Sequence, residues 1–262
     1  MTLNIRGLKF TYGKTEVLKG IDLTVERGVT SFIGPNAAGK STLMKCIAGL
    51  LKPSGFMEMD GNDLVGRRDK NAIGTIAYMP QEMPDKTSLT VMEVMLMGRL
   101  DSLKWKVGDD DIKIAYDAME DLGITDIAPR PMNELSGGQN QIVMVAQCLV
   151  RDPKLLLMDE PINNLDLQKQ LEMFDIIERV TEEREFTTVM VLHDINFAAR
   201  YSDRIIVLSN GLVYSSGTPA EVVTEQMIRE VYGVESSVHL DNEGIPHVHP
   251  LYSVRFGKRL RS

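Results

Sequence analysis

The sequence has few cysteines and no long apolar run. Cys46 and Cys148 are its only cysteines, and their spacing fits neither a C-x-x-C motif nor a disulfide framework. We therefore expect two reduced, mostly buried thiols. No apolar run approaches the roughly 18 residues that a membrane helix needs. Residues 1–4 show no cleavable signal, so the chain is expected to be soluble by itself and to stay in the cytosol.

An excess of positive charge is also lacking. The 37 acidic and 29 basic side chains give a net charge of -8. A net-acidic protein is a poor candidate for broad electrostatic binding to nucleic acid or anionic lipid, so no nucleic-acid partner is expected. The basic run at 258–261 is interpreted as a solvated end of the chain.

Residues 34–42 match the phosphate-binding loop pattern G-x-x-x-x-G-K-[ST]. In such a loop the backbone N–H groups wrap a phosphate chain, and glycines allow close approach. Lys40 is expected to reach the β- and γ-phosphates, and the Ser41 hydroxyl to ligate Mg²⁺. The candidate nucleotide-binding residues are Gly34, Pro35, Asn36, Ala37, Ala38, Gly39, Lys40, Ser41 and Thr42.

The segments on either side of this loop show whether the pattern marks a phosphate-binding site. Residues 29–33 are β-branched and apolar, which predicts a short buried strand, and 41–50 have helical apolar spacing. The alternative is a flexible Gly/Ala loop before a helix. Ala37 stands where a further glycine is usual, and a methyl group penalises a positive φ angle. We predict that Ala37 has a negative φ angle and donates its N–H to phosphate.

A second candidate site is an apolar strand at 155–158 that ends in Asp159 and Glu160. Ligands collect at the carboxyl ends of parallel strands. Asp159 is expected to hold Mg²⁺, and Glu160 to polarise a water for attack on the γ-phosphate. The alternative, a strand ending in two solvated acids, is common when no phosphate loop accompanies it.

The remaining pattern is that of an α/β chain interrupted by helices. Residues 3–10 and 17–25 alternate like antiparallel strands, and a strand is predicted at 73–79. Residues 84–151 are predicted to be helical, with a capping box at 90–93 and core-filling methionines at 92, 95 and 97. Strands are then expected at 155–158, 188–192 and 204–208, separated by helices at 167–184 and 195–201. The last thirty residues give weak structure signals.

Leu135-Ser136-Gly137-Gly138-Gln139 lies between the phosphate loop and the acidic strand. With this motif, nearly the whole chain resembles the ATP-binding-cassette (ABC) family. The resemblance implies an α/β fold: a P-loop NTPase core with an antiparallel β subdomain and an inserted all-helical subdomain. Within a single domain 1–262, the core would be 1–83 and 152–235, the helical subdomain 84–151 and the C-terminal extension 236–262.

The resemblance also implies roles for other residues. In this family two chains pair head to tail, so Ser136, Gly137, Gly138 and Gln139 would bind the partner's ATP. Tyr12 resembles the aromatic that stacks on adenine. Gln81 resembles the lobe-hinge glutamine that touches Mg²⁺ and the attacking water. Asn164 and Asp166 match the loop that crosses the dimer interface, and His193 resembles the switch histidine at the γ-phosphate.

Two short segments depart from the family pattern. Many relatives carry arginines after the signature, where this chain has Gln139-Asn140-Gln141-Ile142 and Ala146-Gln147-Cys148-Leu149. The local positive charge is therefore lower, and phosphate attraction across the dimer is expected to be weaker. Neither departure removes a group that does chemistry.

Finer similarity points to importers of iron–siderophore, haem or cobalamin, through 89–99, 193–204 and 217–234. That resemblance implies an ATP hydrolase with ATP and Mg²⁺, paired as a homodimer on separate permease subunits at the cytoplasmic face of the membrane. It would act indirectly with an extracytoplasmic substrate-binding protein. The alternatives are a cytosolic cassette of iron–sulfur assembly and a non-transport ATP clamp. His247 and His249 are interpreted as surface structural residues rather than metal ligands.

Overall fold

The structure, a computed structural model, describes residues 1–66, 70–81, 87–100, 107–163 and 165–255. The basic run at 258–261 lies outside these residues. Within the described ranges, every helix is too short or too polar to traverse a bilayer. The chain forms two compact units, one of Met1–Ile73 with Thr187–Ser262 and the other of Gly74–Phe186.

The strands are β1 (Leu3–Tyr12), β2 (Thr15–Val25), β3 (Gly28–Ile33), β4 (Ser54–Met59), β5 (Asn62–Asp63), β6 (Ile76–Met79), β7 (Leu155–Asp159), β8 (Thr187–Val191), β9 (Arg204–Ser209), β10 (Leu212–Gly217), β11 (Val234–Leu240) and β12 (Pro246–Ser253). The helices are α1 (Lys40–Ile47), α2 (Lys70–Gly74), α3 (Val91–Met97), α4 (Asp109–Asp121), α5 (Gly137–Leu149), α6 (Leu167–Glu183), α7 (Ile195–Arg200), α8 (Pro219–Val222) and α9 (Glu225–Met227). Short turns of 3-10 helix occupy Thr125–Ile127 and Met132–Glu134, and a π-helical turn continues α9 over Ile228–Tyr232.

The first unit begins with the predicted antiparallel strands. β1 pairs with β2 on one side and with β4 on the other, and β5 extends the sheet beyond β4. Leu3, Ile5 and Leu8 of β1 are buried, whereas Arg6 and Gly7 between them are exposed. One face of this sheet therefore packs on the core and the other meets water, which explains the alternating sequence.

The same unit holds a parallel set, in which β3 lies between β8 and β9. β10 joins the edge of β9 as an antiparallel strand after the Asn210-Gly211 turn. β3 and β8 are buried almost throughout. A parallel strand covered on both faces reads as a continuous apolar run, and this confirms the strands predicted at 29–33, 188–192 and 204–208 to within a residue.

The second unit contains the parallel pair β6 and β7, with Ile76 opposite Leu155 and Met79 opposite Met158. α3 begins with the predicted capping box: the Thr90 hydroxyl accepts from the Glu93 N–H, and Glu93 Oε2 accepts from the Thr90 N–H at 2.7 Å. Three aspartates lie in the first turn of α4, where they complement the helix dipole.

Two local expectations were wrong. Ile73 belongs to α2, so the strand begins only at Ile76. Met97 is 47% exposed, because it lies on the outer side of α3, whereas Met95 is fully buried. The C-terminal region forms the antiparallel hairpin β11–β12 with His239 opposite His247. Its weak signal has a physical cause: β12 contains two prolines and buries only alternate residues near its start.

The two thiols agree with the prediction, because Cys46 and Cys148 are both buried and unbridged. Burial raises the pKa of each thiol to about 12. A thiol of that pKa stays protonated at neutral pH and behaves as a small core residue.

Candidate active site

The phosphate loop leaves the carboxyl end of β3 and enters α1 at Lys40. Gly34 and Gly39 have positive φ angles of 143° and 102°. A Cβ on Gly34 would collide with the Leu208 carbonyl oxygen, and one on Gly39 would lie 2.9 Å from Leu18 Cδ2. Both positions need glycine, which keeps the two ends of the loop free of side-chain bulk where a phosphate chain approaches.

Lys40 is the cation of the loop and is only 6% exposed. Its Nζ donates to the carbonyl oxygens of Gly34 at 2.7 Å and Pro35 at 3.0 Å. The ammonium is therefore held inside the turn of the loop, where the start of α1 adds the positive end of its dipole. This is an arrangement that can bind a polyanion.

The prediction for Ala37 was wrong, because its φ angle is +63°. The Ala38 N–H donates to the Pro35 carbonyl at 3.2 Å, which closes a four-residue turn with Ala37 at its third position. A type II turn requires a positive φ angle there. The curvature of the loop outweighs the penalty on the methyl group, which is about 1–2 kcal/mol.

Two further predicted residues belong to the same unit. Tyr12 ends β1, is 49% exposed and meets Phe10 edge to face at 4.8 Å between ring centroids. An exposed ring face of this kind can stack on a base. His193 follows β8 and is exposed, and Asp194 beside it accepts from the Asn196 N–H at 2.8 Å to cap α7. Since β3 and β8 are parallel neighbours, His193 and the phosphate loop leave the same edge.

In the second unit, Asp159 ends β7 and is 2% exposed. The Tyr78 hydroxyl donates to Asp159 Oδ2 at 3.3 Å. The predicted pair of acids is thus neither a solvated strand end nor a surface feature. A buried carboxylate with a fixed orientation suits the binding of a hard cation such as Mg²⁺.

Glu160 is 8% exposed and has a φ angle of +58°. This backbone conformation is unfavourable for a residue with a long side chain and is typical of functional sites. Gln81 Nε2 donates to Glu160 Oε2 at 2.7 Å. The structure therefore brings together two of the three predicted catalytic residues.

A third residue contacts the same oxygen and was not foreseen. Asn163 Nδ2 donates to Glu160 Oε2, and the Asn163 N–H donates to the Glu160 carbonyl at 3.3 Å. The sequence signal was available, since an asparagine three residues after an acid can close a turn back onto it. Asn164, which is predicted to belong to the loop that crosses the dimer interface, lies outside the described residues.

The signature motif starts α5, as expected. Ser136 Oγ accepts from the Gln139 N–H at 3.3 Å, and Gln139 Oε1 accepts from the Ser136 N–H at 3.1 Å. The first turn, 137–140, carries no charged side chain. Gly138 packs under Lys169, whose Cδ would lie 2.9 Å from an added Cβ. The result is a capped helix start that can take a second anion.

Asp166 begins α6, and its carboxylate accepts from the Lys169 N–H at 3.0 Å. This backbone hydrogen bond, followed by one from the Lys169 side chain, lowers the pKa of Asp166 below its ordinary value. Asp166 therefore has a local capping role besides the interface role that the family resemblance implies. Among the described residues, no three His, Cys, Asp or Glu side chains group around a possible metal position.

A glycine-lined phosphate loop between a parallel strand and a helix defines a P-loop nucleotide-binding protein. The buried acids at the end of a second parallel strand lie where ligands collect in such folds. A family model described as ABC transporter matches residues 18–163, more than half of the chain. The chain belongs to the ABC transporter family and is one of its ATP-hydrolysing ATPases.

Relatives match nearly the full length. An uncharacterized ABC transporter ATP-binding protein of Methanocaldococcus jannaschii is 40% identical over 96% of this chain and 98% of its own. The petrobactin import ATP-binding protein FpuD of Bacillus anthracis is 34% identical over 91% and 89%. The iron(3+)-hydroxamate import ATP-binding protein FhuC of Bacillus subtilis is 33% identical over 92% and 91%.

Solved structures confirm the predicted fold class. A metal-chelate type ABC transporter in an inward-facing conformation has a TM-score of 0.82 at 23% identity, covering 96% of this chain and 98% of the matched one. A dimeric bacterial ABC transporter cassette has a TM-score of 0.72 at 28% identity, covering 82% and 98%.

Proposed function

We propose that this chain energises an importer of an iron–siderophore, haem or cobalamin-type substrate, working on separate membrane permease subunits. Two relatives that match nine-tenths of the chain are named as import ATP-binding proteins for petrobactin and iron(3+)-hydroxamate. Both names refer to iron chelates, so an iron–siderophore is the favoured member of the three substrate classes.

The observation that carries the enzymatic part is the bond between Gln81 and Glu160. A buried carboxylate at a strained backbone position is held by an amide from a distant segment. Glu160 is placed to accept a proton from a water as that water attacks the γ-phosphate. Gln81 connects this base to the segment that leads into the helices of the second unit, so it can report the state of the nucleotide.

The phosphates of ATP are the proposed ligands of residues 34–42. The Lys40 ammonium would bind β- and γ-phosphate oxygens, and Tyr12 would stack on the adenine. His193 would donate to the γ-phosphate. Ser41 and Asp159 offer the hard oxygen donors that fit Mg²⁺, with the Gln81 carbonyl as a further donor. When bound, the ion neutralises phosphate charge.

A second copy of the chain completes the site. Ser136, Gly137, Gly138 and Gln139 form a capped helix start without a charged side chain in its first turn, and this start would cover the ATP of the partner. Asn164 and Asp166 would cross between the two chains. The dimeric cassette among the structural relatives supports this pairing.

The proposed domain boundaries follow from the roles assigned to these residues. The core at 1–83 and 152–235 would bind nucleotide, and the helical subdomain at 84–151 would pass closure of the dimer to the permease at the cytoplasmic face of the membrane. The extension at 236–262 contains none of the residues to which a role is assigned here. Its hairpin is tied to α7, since Asn196 Oδ1 accepts from the Val248 N–H at 2.7 Å.

Reconstitution tests the transport assignment. The chain should co-purify with a permease when the two are expressed together, and a ferric-siderophore-loaded binding protein should stimulate ATP hydrolysis in proteoliposomes. Haem- and cobalamin-loaded binding proteins serve as the comparison, and Glu160→Gln as the inactive control. Co-purification with a soluble iron–sulfur scaffold instead of a permease would refute the assignment.

A further inference from the structure

Glu160 receives two side-chain amides on one carboxylate oxygen, and they come from different places. Gln81 Nε2 reaches Oε2 from 79 residues away at 2.7 Å. Asn163 Nδ2 reaches the same oxygen from the same loop, three residues along the chain. Of these two contacts, only the one from Gln81 has a role in the ATP hydrolysis proposed above.

Several hydrogen bonds hold the loop that carries Glu160 and Asn163, and two of them matter for the distance between these residues. The Asn163 N–H donates to the Glu160 carbonyl at 3.3 Å, which closes the turn between them. Gln141 of the signature helix α5 donates its Nε2 to the Pro161 carbonyl, and this side chain is only 8% exposed. The distance from Asn163 to Glu160 is therefore fixed by local backbone, whereas the distance from Gln81 depends on a segment remote in sequence.

We propose that Asn163 is a positioning residue for ATP hydrolysis, which keeps the Glu160 carboxylate aimed as a general base while Gln81 exchanges between Glu160 and the nucleotide. This inference rests on the proposed role of Glu160. Its physical basis is that an amide N–H donating to a carboxylate oxygen fixes the orientation of that carboxylate. Because Asn163 lies on the same turn as Glu160, it keeps its hydrogen bond to the carboxylate when the segment of Gln81 moves.

Steady-state ATPase measurements on the full chain test this role. Asn163→Ala should lower kcat on the order of 10- to 100-fold while the KM for ATP changes less than about 2-fold. Asn163→Asp, isosteric but without the donor, should be slower still because it adds a like charge.

Matched variants separate positioning from folding. Gln168→Ala removes another side-chain amide of the same unit, one that bonds to Glu172 on the exposed face of α6, and should leave kcat unchanged. Asn163→Ser keeps a short donor and should recover part of kcat. If Asn163→Ala matches the parent in both its thermal melt and its kcat, the proposal is overturned.

Variants of Glu160 and Asn163, alone and together, distinguish an error in the role of Asn163 from an error in the proposed function. In a Glu160→Gln background, Asn163→Ala should cause no further loss, because the two residues act through one group. Normal turnover by Glu160→Gln would show that Glu160 is not the general base. Loss of turnover in Glu160→Gln together with normal turnover in Asn163→Ala would show that only the role of Asn163 is wrong.

Discussion

The Lys40 ammonium donates to the Gly34 carbonyl at 2.7 Å, across the full span of the phosphate loop. One side chain at the start of α1 thereby braces the residue that follows β3. The same cation is the proposed ligand of the β- and γ-phosphates, so the loop holds its charge in place before a phosphate chain arrives. Such preorganisation reduces the cost of binding.

Lys40→Met should therefore weaken ATP binding about 10- to 100-fold, the range expected for losing hydrogen bonds from a charged donor. Titration calorimetry with ATP measures this directly. Lys45→Met, in the last turn of the same helix and outside the loop, is the matched control and should bind ATP like the parent. Equal affinity in both variants would show that Lys40 has no role in phosphate binding.

The positive φ angle of Ala37 leads to a stability prediction. Ala37→Gly should raise the free energy of unfolding by about 0.5–1 kcal/mol, because relief of about 1–2 kcal/mol of strain exceeds the added entropy of the unfolded chain. Ala37→Val should lower it, since a β-branched residue tolerates this φ angle poorly. Urea unfolding provides the measurement.

Ala48→Gly is the control for Ala37→Gly. Ala48 ends α1 with φ -65°, so a glycine there relieves no strain and should destabilise the protein. If both glycine variants shift the midpoint downward by similar amounts, Ala37 does not occupy the strained conformation.

The contrast between Ala37 and its neighbours shows what the sequence could predict. The spacing of Gly34, Gly39 and Lys40 is local, so it indicated a loop between a strand and a helix, and that was confirmed. The conformation of Ala37 depends on a turn closed by the Ala38 N–H onto the Pro35 carbonyl. Residue identity alone predicts a negative φ angle for alanine, and the geometry of the turn reverses it.

Asn163 shows a second limit. Sequence patterns rank residues by their match to a motif, and no motif gives Asn163 a role. Its contact with Glu160 arises from the left-handed backbone of Glu160 and the turn after it. The hairpin β11–β12 shows a third limit, because its strands are stabilised by pairing with each other and by the contact of Asn196 with Val248. Neither contact leaves a periodic pattern.

The capping box at Thr90 and Glu93 leads to a prediction about pH. Hydrogen bonds from Thr90, first from its backbone N–H and then from its hydroxyl, hold the pKa of Glu93 below its ordinary value of 4.5. A carboxyl with a depressed folded pKa adds stability that is present above its unfolded pKa. That stability is lost as the pH falls through the folded pKa.

Glu93→Gln keeps a side chain that can complete the capping box but cannot titrate. Its free energy of unfolding should therefore fall less steeply than that of the parent between about pH 5 and about pH 3. Urea unfolding at several pH values gives the slope. Glu178→Gln, on the exposed face of α6, should follow the parent curve, and identical slopes for all three proteins would contradict the assignment.

The proposed pairing of two chains predicts complementation between two inactive variants. Lys40→Ala should remove phosphate binding from its own loop, and Ser136→Arg should block the signature helix that covers the partner's ATP. Each variant alone should be inactive. In an equal mixture, half of the dimers are mixed, and each of these holds one intact loop facing one intact signature, so about a quarter of the parent's sites return.

ATPase activity of the mixture after subunit exchange is the measurement. A mixture of Lys40→Ala with Lys40→Ala,Ser136→Arg is the control, because no arrangement of those two chains contains an intact loop. Recovered activity in the first mixture and none in the second would require that Ser136 acts on the nucleotide of the other chain. If mixed dimers form, as shown by differential tags, but the first mixture stays inactive, Ser136 does not act across the dimer.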